Sequence, residues 1–85
     1  GAVEPRAVEG GLIEIGEDLQ RWRRLNRLTI EQAAYRADVS VSTLRRLEQG
    51  HGATLEIFLR VCRAFQLLDR VEAAVDPMGT IAAGP

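Results

Sequence analysis

The chain has 85 residues, a net charge of −1 and 46% apolar residues, which makes one small domain; below roughly 80 ordered residues a single core stabilises by only a few kcal/mol, so a partner subunit is expected before any motif is considered. No apolar run approaches the ~18 uncharged residues of a membrane span, no secretory signal is visible, and without an initiator Met the start Gly1-Ala2 reads as a remnant of processing. One cysteine, Cys62, and one histidine, His51, exclude an internal disulfide and fall short of any zinc ligand set. Cys62 therefore reads as a small core residue, no metal or cofactor is expected, and a reducing, cytoplasmic setting fits.

Residues 1–11 hold Gly, Pro and isolated charges without a period and read as a flexible arm. From Leu12 the apolar residues Leu12, Ile15, Leu19 and Trp22 fall at helical spacing, predicting a helix from about Ile13 to Leu25. Thr29 with Gln32 forms a capping box that opens a short second helix ending near Ala37. Asp38 falls where the turn needs a left-handed backbone, which Asp tolerates better than most residues with a Cβ. Ser40 caps a third helix running to Gln49, and Gly50 stops it. Thr54 caps a fourth helix with Leu55, Phe58, Cys62 and Phe65 on its apolar side. After a break at Gln66-Leu67, a fifth helix carries Leu68, Val71 and Val75 until Asp76-Pro77 ends it. Residues 77–85 read as a flexible tail, leaving a helical domain over 12–76. The fold class is all-α.

The chemistry concentrates in residues 28–50, LTIEQAAYRADVSVSTLRRLEQG. Ala33, Ala34 and Ala37 let a partner helix approach the first of the two short helices closely, and Leu44 and Leu47 give the second its apolar side. The opposite side of that second helix shows Val41, Ser42, Arg45, Arg46 and Gln49 on one face. Such a face has the size and chemistry to enter a DNA major groove, where arginine forks read guanine edges. Although the whole chain is nearly neutral, residues 20–46 hold seven arginines (Arg21, Arg23, Arg24, Arg27, Arg36, Arg45 and Arg46) against Glu31 and Asp38, a local balance of +5. A patch of that sign neutralises several phosphates.

Residues 16–67 resemble the lambda-repressor-like helix-turn-helix domain of the Xre or Cro type. The resemblance rests on RWRRLNRLT, on the two-helix unit TIEQAAYRADVSVSTLRRLEQG and on TLEIFLRVCRAFQL. It implies a compact five-helix fold whose third helix lies in the major groove of double-stranded DNA. The base-reading residues it implies are Val41, Ser42, Arg45 and Arg46. Phosphate contacts fall to Thr29, Ile30, Arg36, Thr43, Gln49 and His51. The family commonly has Gln at the position of Ile30, so contact there falls to the backbone amides at the helix start. Basic residues that some relatives carry in the loop are missing between His51 and Ala53. The resemblance also pairs Arg23 with Glu48 as a structural ion pair.

Bland readings stand beside these. Arg21, Arg24 and Arg27 are phosphate contacts or a solvated face, Trp22 is a core anchor, and Tyr35 is open between phosphate contact, packing and exposure. Ser40, Ser42 and Thr43 have no positioned base, and neither a phosphate-cradling glycine loop nor paired catalytic carboxylates appear, so no enzyme is expected. The expectation is a sequence-specific transcriptional regulator, a repressor, binding a palindromic operator as a homodimer. Leu68, Val71 and Val75 are its candidate dimer interface, with packing inside one monomer as the equal alternative. The second expectation is an antitoxin-type module that binds a toxin through its arm or the segment Met78–Ile81 and regulates its own operon.

Overall fold

The computed structural model describes residues 5–82, with side chains from Arg6 to Gly79. Its elements are α1 (Pro5–Leu25), α2 (Ile30–Ala37), α3 (Val41–Glu48), α4 (Leu55–Ala64), α5 (Leu68–Val75) and α6 (Pro77–Ala82). The domain is all-helical over these residues, with six helices where five were expected.

Local chemistry sets most of the boundaries. Thr29 accepts from the amide of Gln32 and the Gln32 side chain accepts from the amide of Thr29, which closes the capping box. Ser40 and Thr54 cap α3 and α4 by accepting from the amides of Thr43 and Ile57. Each such cap satisfies one of the amides that a helix start leaves unpaired. Asp38 is left-handed at φ 57°, and Gly50, at φ 84°, turns the chain out of α3.

Two helices depart from the expected layout. α1 begins at Pro5, eight residues before Ile13, so residues 5–11 of the expected arm are helical. That expectation rested on Gly, Pro and isolated charges without a period, and Gly10 and Gly11 each cost about 1 kcal/mol of helix propensity against Ala. Helix propagation from an established segment is much easier than nucleation, and Pro5 sits where a helix start accepts proline. Residues 77–82 of the expected tail form α6 by the same proline rule. The remainder of both segments, residues 1–4 and 83–85, lies outside the described residues.

The core is Leu19, Leu28, Ala33, Ala34, Ala37, Leu44, Leu47, Val61, Cys62 and Phe65. The three alanines let α2 sit tightly against both α3 and α4. Trp22 is half-buried against this cluster, with the Arg70 guanidinium of α5 5.6 Å from its ring centroid. α1 crosses the end of α3 at Gly16, where an added Cβ would lie 2.5 Å from the Leu47 carbonyl oxygen. That close crossing brings Arg23, two turns further along α1, over Glu48.

Candidate nucleic-acid interface

The orientation of α3 depends on one buried ion pair. Arg23 Nε donates to Glu48 Oε2 at 2.7 Å and its Nη2 to Oε1 at 3.1 Å, a two-pronged contact. The two side chains retain 12% and 3% exposure. Arg23 Nη1 also donates to the Leu28 carbonyl at 3.1 Å, which ties in the loop leading to α2. Gln20 Nε2 donates to Glu48 Oε1 at 3.2 Å. Glu48 is thus held by two side chains from adjacent turns of α1. The hydrogen bonding that Arg23 donates to the Glu48 carboxylate, more than the charge of Glu48, raises the Arg23 pKa against the opposing effect of burial. A raised pKa stabilises the fold below the unfolded value and fades only as pH rises through the folded one. The unfolded value is the ordinary arginine one and the folded value lies above it, so this group adds no pH dependence near neutrality.

A second clasp holds the turn between α2 and α3. Arg60 Nη1 donates to the Asp38 carbonyl at 2.9 Å and to Asp38 Oδ2 at 3.1 Å. Arg63 Nη2 donates to the Arg36 carbonyl at 2.9 Å. Two arginines of α4 thereby satisfy carbonyls at the end of α2, which the helix itself leaves unpaired.

Between these clasps the outer face of α3 is open. Ser42, Arg45, Arg46 and Gln49 are exposed, while Val41 and Thr43 are half-buried. Val41 packs in part against the core, so it presents only an edge. The Ser40 hydroxyl donates to Thr43 Oγ1 at 2.7 Å, fixing the Thr43 side chain beside the cap. Arg45 and Arg46 point to different hollows. A polar hollow of about 410 Å³ joins Arg45 and Gln49 to Thr29 and Ile30 at the start of α2, with Gln20 and the paired Arg23 and Glu48 also in its lining. A hollow of about 370 Å³ on the other flank joins Arg46 and Thr43 to His51 and to Thr54 at the start of α4. Each hollow lies at a helix N-terminus, where unpaired amides favour anions.

The remaining candidates are dispersed. Ile30 is half-buried with its side chain against the core, which leaves its amide as the polar group available. Arg36 and Tyr35 are exposed on the outer side of α2, around a hollow with Leu28, Glu31 and Gln32. Arg24 and Arg27 are exposed, and Arg21 is exposed and paired with Asp18. On α5, Leu68 and Val71 are half-buried and Val75 is exposed. Cys62 is buried, which pushes its thiol pKa up and keeps it protonated.

Sequence reading missed three contributors: Gln20, Arg60 and Arg63. Gln20 was legible in principle, since it lies three residues before Arg23 on one helix face. The two arginines of α4 act across 22 and 27 residues of chain, and no local pattern carries that signal.

Among the described residues, no group of His, Cys, Asp and Glu side chains is placed to hold a metal. No helix of the described residues is long and apolar enough to cross a membrane. Comparison with curated proteins and with solved structures finds no match. The family model described as a helix-turn-helix domain matches residues 14–75, from the middle of α1 to the end of α5. That match spans most of the chain and contains both clasps and both hollows, and the chain belongs to the helix-turn-helix domain family.

Proposed function

We propose that the protein is a sequence-specific DNA-binding transcriptional regulator, acting as a repressor in the cytoplasm. The observation that carries this reading is the open face of α3, with Ser42, Arg45 and Arg46 exposed between two anion-favouring hollows. α3 enters the major groove; Arg45 forks onto a guanine, Arg46 and Ser42 read neighbouring edges, and Val41 offers a thymine methyl an apolar contact. Backbone phosphates sit in the two hollows, one against Thr29, the Ile30 amide and Gln49, the other against Thr43 and His51. Arg36 reaches the backbone from the side of α2. Arg23 and Glu48 touch no DNA and act by fixing α3.

A homodimer would place two copies of α3 about 34 Å apart on a roughly palindromic site. Val75, exposed on α5 beside the half-buried Leu68 and Val71, is the edge offered for that contact. Selection of fragmented genomic DNA on the purified protein tests the reading. One enriched near-palindromic motif supports a specific dimeric regulator. Retention without a motif, collapsing as salt rises, means phosphate attraction alone and sinks the specific reading.

A second reading is an antitoxin-type module that also binds a toxin and represses its own operon. Apolar side chains left exposed on the first half of α1 favour it. Co-purification of a neighbouring gene product, with DNA binding retained, is the result it requires.

A further inference from the structure

The apolar stripe of α1 outruns the core. Leu19 is buried and Trp22 half-buried, but the same stripe continues backward through Ile15, Leu12 and Val8, all exposed, Val8 by 68%. Leu12 and Ile15 form one wall of a groove of about 290 Å³, with Leu55 and Phe58 of α4 opposite and Leu47 at its floor. Leu55 is 70% exposed. An apolar track thus runs along α1 and across to α4, with nothing of this chain's described residues covering it.

The half of α1 that carries this stripe is acidic in balance. Between Pro5 and Asp18, α1 carries Glu9, Glu14, Glu17 and Asp18 against a single base, Arg6, a local balance of −3. Glu9 lies three residues before Leu12 and Asp18 three after Ile15, so each borders the stripe on a neighbouring turn. Among the described residues Glu9, Glu14 and Glu17 enter no ion pair; Asp18 pairs with Arg21. DNA is repelled by such a surface. A second copy of the same helix would bring −3 against −3. An apolar helix with lysine or arginine along its flanks matches both the groove and the charge, in the manner of helix-in-groove recognition.

We propose that the first half of α1, together with Leu55 and Phe58, is a docking surface for a protein partner that presents an amphipathic helix with basic flanks. The sign of charge reverses along α1, from this acidic half to the arginines at 21, 23, 24 and 27. The partner and DNA therefore occupy different surfaces and can be held together. This inference rests on the same exposed side of α1 as the second reading, adds the chemistry of the partner, and is independent of the operator.

The test uses the full chain and a fluorescein-labelled synthetic peptide of leucine and lysine, about five helical turns long, with its leucines on one face. A peptide with glutamate in place of lysine is the control, and retention of genomic DNA is measured in parallel so that the two surfaces are scored separately. The lysine peptide is expected to bind and the glutamate peptide not to. Leu12→Ser with Ile15→Ser should weaken peptide binding by about tenfold or more, as loss of two apolar contacts implies. Leu55→Ser, an exposed site outside α1, should weaken it in the same direction, and circular dichroism checks that each variant is folded. Glu9→Lys with Glu14→Lys should weaken peptide binding while leaving DNA retention intact. The proposal is overturned by equal binding of the glutamate peptide, by no binding of either, by serine variants that bind undiminished, or by a dimer in sedimentation that Leu12→Ser abolishes.

Discussion

The two halves of α1 share one backbone and one apolar stripe, yet they have opposite surroundings. The second half is enclosed: Leu19 in the core, Trp22 under Arg70, Arg23 locked on Glu48, Gln20 beside it. The first half carries Val8, Leu12 and Ile15 at the same spacing and encloses none of them. A helical period therefore states which side of a helix is apolar, and the neighbouring elements decide whether that side is core or interface. The crossing at Gly16 divides the two regimes.

The largest expected effect breaks the enclosed half. Arg23→Ala strands the buried Glu48 carboxylate and should cost about 3–5 kcal/mol in urea unfolding, removing DNA binding by releasing α3 from α1. Glu14→Gln, in the open half, should stay within about 0.5 kcal/mol of the parent. Equal losses from the two would erase the contrast.

Next come two glycines of the same helix with opposite signs. Gly16→Ala puts a Cβ 2.5 Å from the Leu47 carbonyl oxygen and 2.7 Å from that of Glu48, both backbone atoms. Forcing α1 off α3 should cost about 1–3 kcal/mol, as overpacking does. Gly10→Ala meets nothing within 4 Å and should stabilise by about 0.5–1 kcal/mol through helix propensity. Thermal unfolding of both variants, side by side, sharpens where the boundary falls.

The smallest effect separates the two arginines of α3. Arg46, in the hollow with His51 and Thr54, is placed for a phosphate as well as a base edge. If phosphate contact dominates, Arg46→Ala should weaken binding about uniformly across sequences and lower the salt slope by roughly 1. Titrations at several salt concentrations read this directly.

Much of this layout was legible because local rules write it. Thr29, Ser40 and Thr54 are hydroxyl caps, Asp38 is a residue that accepts the left-handed turn, and Gly50 is a helix stop; each needs only its near neighbours. The alanines at 33, 34 and 37 likewise announced a close helix contact, and all three are buried. Propensity misled at Gly10-Gly11, where helix continuation from α1 outweighed two unfavourable residues, and at Gly79 inside α6. The pairing of Arg23 with Glu48 came from resemblance, since 25 residues separate the partners. Arg60 and Arg63 needed the tertiary structure, because their acceptors lie on another element, whereas Gln20 was marked only by its place one turn before Arg23.

The central claim is that the open face of α3 reads sequence through Arg45. Its most direct test is the affinity ratio between the selected operator and unrelated DNA, measured at one salt concentration for the parent and for Arg45→Ala. The account predicts that Arg45→Ala remains folded, keeps its affinity for unrelated DNA within a few-fold, and loses about 1–3 kcal/mol of discrimination for the operator. An unchanged ratio in Arg45→Ala would contradict it and move sequence readout away from this face of α3.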